Sequence, residues 1–87
     1  MAERLTIRDL MQYGEITSAH LTAAVDTYCR APQTIAYAIG GAHVLNLAGA
    51  VRSSPEARRE LADDTLPESV KRAAVRTAIL LAQPVRT

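Results

Sequence analysis

The chain has 87 residues, with ten Lys and Arg against nine Asp and Glu, for a formal net charge of +1. That length accommodates one domain, and a core this small gains from a partner chain. Residues 1–52 carry four Arg against four acids and residues 53–87 carry six basic groups against five acids, so neither part is a strong electrostatic lure for phosphate.

There is no Phe and no Trp, and the aromatics are Tyr13, Tyr28 and Tyr37. The core is therefore built from Ala, Leu, Val and Ile. Such residues suit closely packed helices, and the Ala content favours helix. An all-α fold is expected, a small four- to five-helix domain around a central apolar helix over Pro32–Val51. Every basic residue except Lys71 is Arg, which fits a GC-rich genome such as an actinobacterial or phage one. Cys29 is the only cysteine, so no intramolecular disulfide forms and a reducing compartment is expected. The N-terminus lacks a signal-peptide pattern. Residues 35–51 are short for a membrane span and contain His43 and Asn46, so the expectation is a soluble, cytoplasmic protein with no membrane contact.

In chain order, Thr6 with Asp9 three residues on predicts a capped helix over Ile7–Tyr13, stopped by Gly14. A second helix starts near Thr17 or Ser18 and ends before Pro32; Leu21, Ala24 (or Val25) and Tyr28 share one face. The third predicted helix is the uncharged stretch from Pro32 to Val51, with Pro32 in its first turn. Gly40-Gly41 in its middle marks either a close helix crossing or a kink. Ser54-Pro55-Glu56 opens a short helix over Glu56–Ala62. Thr65-Leu66-Pro67-Glu68 is a capping-box signature, and the last predicted helix runs over Pro67–Gln83. That helix has a main apolar stripe, Val70, Ala73, Ala74, Thr77 and Leu81. A second ridge, Val75 and Ile79, lies roughly opposite and is bordered by Lys71, Arg72 and Arg76. Two apolar faces on one terminal helix imply two packing partners, so Val75, Ile79, Arg72 and Arg76 are the expected homodimer interface.

His20, His43 and Cys29 are the candidate metal ligands, but none sits in a CxxC, HxxxH or HExxH spacing. The plainer reading is satisfied or surface histidines and a small buried thiol. Tyr37 and His43 near the glycine pair are a remote option for a ligand such as haem. Cys29 has no neighbouring motif for a nucleophile, and Ser53-Ser54 reads as capping. The acids Glu56, Glu60, Asp63 and Asp64 read as a solvated face, and no phosphate loop follows Gly40-Gly41. No enzyme and no cofactor are expected.

The punctuation of residues 7–59 resembles a helix-turn-helix domain. Ile7–Gly14 stands as its support helix, and Glu15-Ile16-Thr17-Ser18-Ala19-His20-Leu21 is similar to the start of the second helix in winged-helix regulators such as the MarR family. Pro32-Gln33-Thr34-Ile35 resembles the start of a recognition helix, and Leu47-Ala48-Gly49-Ala50-Val51-Arg52 resembles its exit; Ser54–Arg59 is similar to the wing region. The resemblance implies a DNA-binding transcriptional regulator with a helix-turn-helix core over 7–52 and an oligomerisation helix over 67–83. Gln33, Thr34 and Tyr37 would enter the major groove of double-stranded DNA, and Arg30, Arg52, Arg58 and Arg59 would contact its backbone. The alternative reading is a bacterial or phage accessory protein that binds another protein through an apolar helix face.

Overall fold

Four of the helices begin where a short polar side chain closes the first turn. The computed structural model describes residues 5–86, in the order α1 (Ile7–Gln12), α2 (Ser18–Arg30), β1 (Tyr37–Ile39), β2 (His43–Leu45), α3 (Leu47–Arg52), α4 (Pro55–Leu61), α5 (Glu68–Leu80) and β3 (Val85–Arg86). At α1 the Thr6 hydroxyl accepts from the Asp9 N–H at 3.2 Å, and the Thr6 N–H donates to the Asp9 carboxylate at 3.0 Å. At α2 the Thr17 hydroxyl and His20 Nδ1 make the same reciprocal pair. Ser54 caps α4, with Pro55 in the first turn. Such bonds reach only three residues along the chain, so composition at the cap is enough to set them.

The all-α expectation is overturned between Pro32 and Leu45. No helix starts at Pro32. A loop leads into β1, and a tight turn over Gly40-Gly41-Ala42 returns the chain as β2. The cause is backbone stereochemistry. Gly40 and Gly41 adopt φ +70° and +81°, which are incompatible with a right-handed helix and cheap only for glycine. Tyr37, Ala38 and Ile39 then alternate between half-buried, exposed and buried, the period-two pattern of a strand. The sheet is antiparallel in the order β1-β2-β3. Ile39 pairs with His43 across the turn, and Val44 pairs with both Ala38 and Val85. The fold is therefore α+β, and the predicted central helix survives only as α3, which Asn46 caps by accepting from the Gly49 N–H at 2.7 Å.

The core gathers Ile7 and Leu10 from α1, Leu21, Ala24 and Val25 from α2, Ile39 and Leu45 from the hairpin, and Leu47 and Val51 from α3. Ala57 comes from α4, and Ala74, Val75, Ala78 and Ile79 come from α5. The Ile7 N–H donates to the Ala82 carbonyl at 2.9 Å, tying the start of α1 to the exit of α5. The α5 helix packs against α2, α3 and α4 together, which fixes its rotation.

That rotation reverses the expected roles of its two faces. Val75 and Ile79 have no exposed surface at all within the chain. They are core residues, so the homodimer interface expected on Val75 and Ile79 is not there. Of the stripe expected to face inward, only Ala74 is buried; Leu81 is 61% exposed. Arg72 turns back to the Asp26 carboxylate of α2, forming an ion pair at a half-exposed position, while Arg76 is exposed. The expected capping box at α5 is also absent. The Thr65 N–H and hydroxyl both donate to the Asp63 carboxylate, and α5 begins after Pro67 with no side-chain cap.

Two outcomes follow for stability. A Cβ at Gly41 meets open space, whereas one at Gly40 would sit 2.8 Å from Ile16 Cγ1 and 3.1 Å from the Glu15 carbonyl. In urea titrations Gly41→Ala should cost about 1–2 kcal/mol for the left-handed backbone, and Gly40→Ala should cost about 1–3 kcal/mol more for the clash. Equal losses would contradict the hairpin geometry. Ile79→Asp should abolish the cooperative transition altogether, because an unpaired buried carboxylate costs several kcal/mol against a total stability of about 5–15 kcal/mol.

Candidate functional site

The residues expected to read DNA bases do not converge. Gln33 is exposed in the turn after α2. Thr34 is half-buried; its hydroxyl donates to the Ala31 carbonyl at 2.7 Å, and its own carbonyl accepts from the Ala48 N–H at 2.9 Å. It is a strut that anchors the loop to α3. Tyr37 lies in β1 opposite Leu45 and packs against the core. With no helix starting at Pro32, these three side chains do not form the leading end of an insertable element.

The expected backbone-contacting arginines divide between two surfaces. Arg52, in the last turn of α3, and Arg58, in α4, line one shallow depression with Tyr28, Pro32 and Leu61. Arg30 is exposed in the last turn of α2, two residues from Tyr28. Arg59 follows Arg58 by about 100° of helix rotation and lines a different groove. Burial among apolar neighbours pushes the Tyr28 phenol above its ordinary range; Cys29 adds to the shift and the Arg52 guanidinium opposes it. Arg52 and Arg58 make no ion pair among the described residues.

The groove that Arg59 lines has a volume of about 850 Å³ and lies between β2, α3, the start of α4, the end of α5 and β3. Val44, Ala50, Pro55, Leu81 and Val85 supply apolar walls, and Asn46, Glu56, Arg59 and Gln83 supply the polar ones. Leu81 and Val85, 61% and 71% exposed, flank it. Leu81 also closes a row along the outside of α5, Val70–Ala73–Thr77–Leu81. The Thr77 hydroxyl donates to the Ala73 carbonyl at 3.1 Å, so this row offers little free polarity.

This face was hidden in the sequence because α5 carries two apolar stripes. One signal separates them. Ala74, Val75, Ala78 and Ile79 are uniformly apolar, whereas the outer row contains Thr77 and runs beside Ser69 and Arg76.

The candidate metal ligands are likewise dispersed. His20 caps α2 at the surface, and Cys29 is exposed rather than the expected buried thiol. His43 is buried in β2, 5% exposed, and its Nδ1 has no hydrogen-bond partner among the described residues. Among the described residues no group of three or more His, Cys, Asp or Glu gathers as a metal site. Nor is any helix among them long and apolar enough to cross a membrane. Asp63 lies below its ordinary carboxylate range because Thr65 donates to it, a local turn bond rather than catalytic tuning. Comparison with protein-family models, with curated proteins and with solved structures finds no match for the chain.

The packing of Tyr28 makes its titration observable. The difference in tyrosinate absorbance between the wild-type chain and Tyr28→Phe should show a midpoint above the ordinary value of 10.0. Arg52→Ala should move it further up, since Arg52 stabilises the charged form. Because the folded value is raised, the stability that Tyr28 contributes is fully present below pH 10.0 and is lost as the pH rises through the folded value. A midpoint at or below 10.0 would contradict the packing.

Proposed function

We propose that this chain is a non-enzymatic interaction module that binds another protein surface through the outer face of α5 and the groove beside it. The observation that carries the reading is that Val70, Ala73 and Thr77 line one depression on α5, and Thr77 and exposed Leu81 continue it into the groove bordered by exposed Val85. An apolar row on a helix facing solvent, with a polar rim, has the form of a helix-packing interface. The near-neutral charge is consistent with it, since a protein partner needs no long-range attraction to phosphate.

The reading is tested by placing a photo-crosslinking residue at position 81 of the full chain in the producing cell. A specific protein adduct at position 81, absent from a control at exposed Arg30, is the expected result. No adduct at 81, 77 or 73 would sink the proposal.

A second reading, double-stranded DNA binding by a transcriptional regulator, is favoured by one observation: Arg52 and Arg58 converge beside Tyr28 without ion pairs among the described residues. With no helix starting at Pro32 to present Gln33, Thr34 and Tyr37, binding through Arg52 and Arg58 would rest on phosphate contacts, which position a protein but carry no sequence information. In fluorescence-anisotropy titrations of a genomic duplex, affinity should fall steeply with salt. Replacing both Arg52 and Arg58 with Ala should lower the log–log slope by about 2. No binding at low salt would exclude this reading.

A further inference from the structure

We infer that the partner seated on the outer face of α5 is a second copy of this chain, related by a two-fold axis running along the helix. This rests on the reading of that face as an interaction surface, and it is carried by the charges on either side of it.

An α-helix turns by about 100° per residue. Seen from Thr77, Ala74 therefore lies on one side of the outer row, and Leu80 and Arg76 lie on the other. The structure places α4 on the Ala74 side, where Glu56 and Glu60 border a depression containing Val70, Ala73 and Thr77. It places α1 on the opposite side, where Arg8 joins Arg76 around Leu80 and Leu81. One apolar row thus separates a flank carrying Glu56 and Glu60, with Arg59 in the groove beside Glu56, from a flank carrying only the basic Arg8 and Arg76.

Such a surface is self-complementary under one two-fold axis and self-repelling under another. An axis running along α5 lays the α4 side of one copy over the α1 side of the other, so Glu56 and Glu60 face Arg8 and Arg76 twice. An axis running across α5 lays α4 over α4 and α1 over α1, so like charges meet. A two-fold contact is made by the same patch on both subunits. Under the first axis, Thr77 and Ala73 each meet their own counterparts at the centre. Both are small, with the Thr77 hydroxyl already bonded to the Ala73 carbonyl, so the helices can approach closely. Val70 and Leu81 supply the larger contacts at the two ends. A chain of 87 residues with a core lacking Phe and Trp is of the size at which such burial adds usefully to stability.

The test is sedimentation equilibrium of the full chain at several concentrations and at low and high salt. A dimer is expected, weakened by salt. Leu81→Glu should give a monomer with an unchanged circular-dichroism spectrum. Arg76→Glu alone, and Glu60→Arg alone, should each weaken the dimer by about tenfold or more at low salt. The double variant Arg76→Glu/Glu60→Arg should recover to within about threefold of wild type, because the swapped charges face each other again. A chain that stays monomeric throughout, or a dimer whose strength ignores both single charge changes, would overturn the inference. If the adduct formed at position 81 is a different protein and the chain sediments as a monomer, the inference fails while the interaction reading stands. If there is neither adduct nor dimer, both fail.

Discussion

Two consecutive glycines with positive φ decide the architecture of this chain. Gly40 and Gly41 hold a backbone shape that no right-handed helix contains, so the uncharged stretch from Pro32 to Val51 cannot be one rod. It divides into an anchored loop, a hairpin and the capped α3. Gly40 is doubly constrained, because Ile16 and the Glu15 carbonyl press against the place where a Cβ would stand. That contact joins the hairpin turn to the segment between α1 and α2. With the turn in place, Ile39 and Leu45 face the core, β2 gains β3 as a second neighbour, and α3 packs beside α5.

The consequence reaches α5, whose two stripes compete for the inside. Packing by α2, α3 and α4 on one side draws in Val75 and Ile79 with Ala74 and Ala78. The stripe of Thr77 and Leu81 is left outside, and β3, pairing with β2, brings Val85 to the same groove. The surface proposed for interaction is thus what remains once the core has taken the stripe without polar side chains. Its flanks acquire opposite charge because α4 and α1 lie on opposite sides of it, and neither could be assigned to a side before the helices were packed.

What was legible in the sequence was local. Thr6, Thr17 and Ser54 announce their helices because each cap bond spans three residues, and Gly14 and Pro32 mark ends for equally local reasons. The hairpin carried a signal as well: Gly40-Gly41-Ala42 between Tyr37–Ile39 and His43–Leu45 is a glycine-containing turn between two short strand-length segments. Against it stood a long uncharged run with helix-favouring alanines, which suggests a helix only while the φ of the glycines is unknown. The phase of α5 was not legible, since periodicity marks two stripes without saying which one the other helices cover. Nor was β3, two residues whose strand character comes from pairing with β2 some 40 positions earlier. Of the residues expected to contact DNA, Arg52 and Arg58 do share a surface. Thr34 and Tyr37 are instead held by the loop and the sheet, because the helix that would have presented them does not exist.

The central claim, that the outer and not the inner face of α5 meets a partner copy, is tested most directly by isotope-filtered NMR on an equimolar mixture of labelled and unlabelled chains. Nuclear Overhauser contacts between copies are expected among the methyl groups of Val70, Ala73, Thr77 and Leu81. Contacts between copies from Val75 and Ile79, or none from the outer row at concentrations where the chain is dimeric, would contradict it.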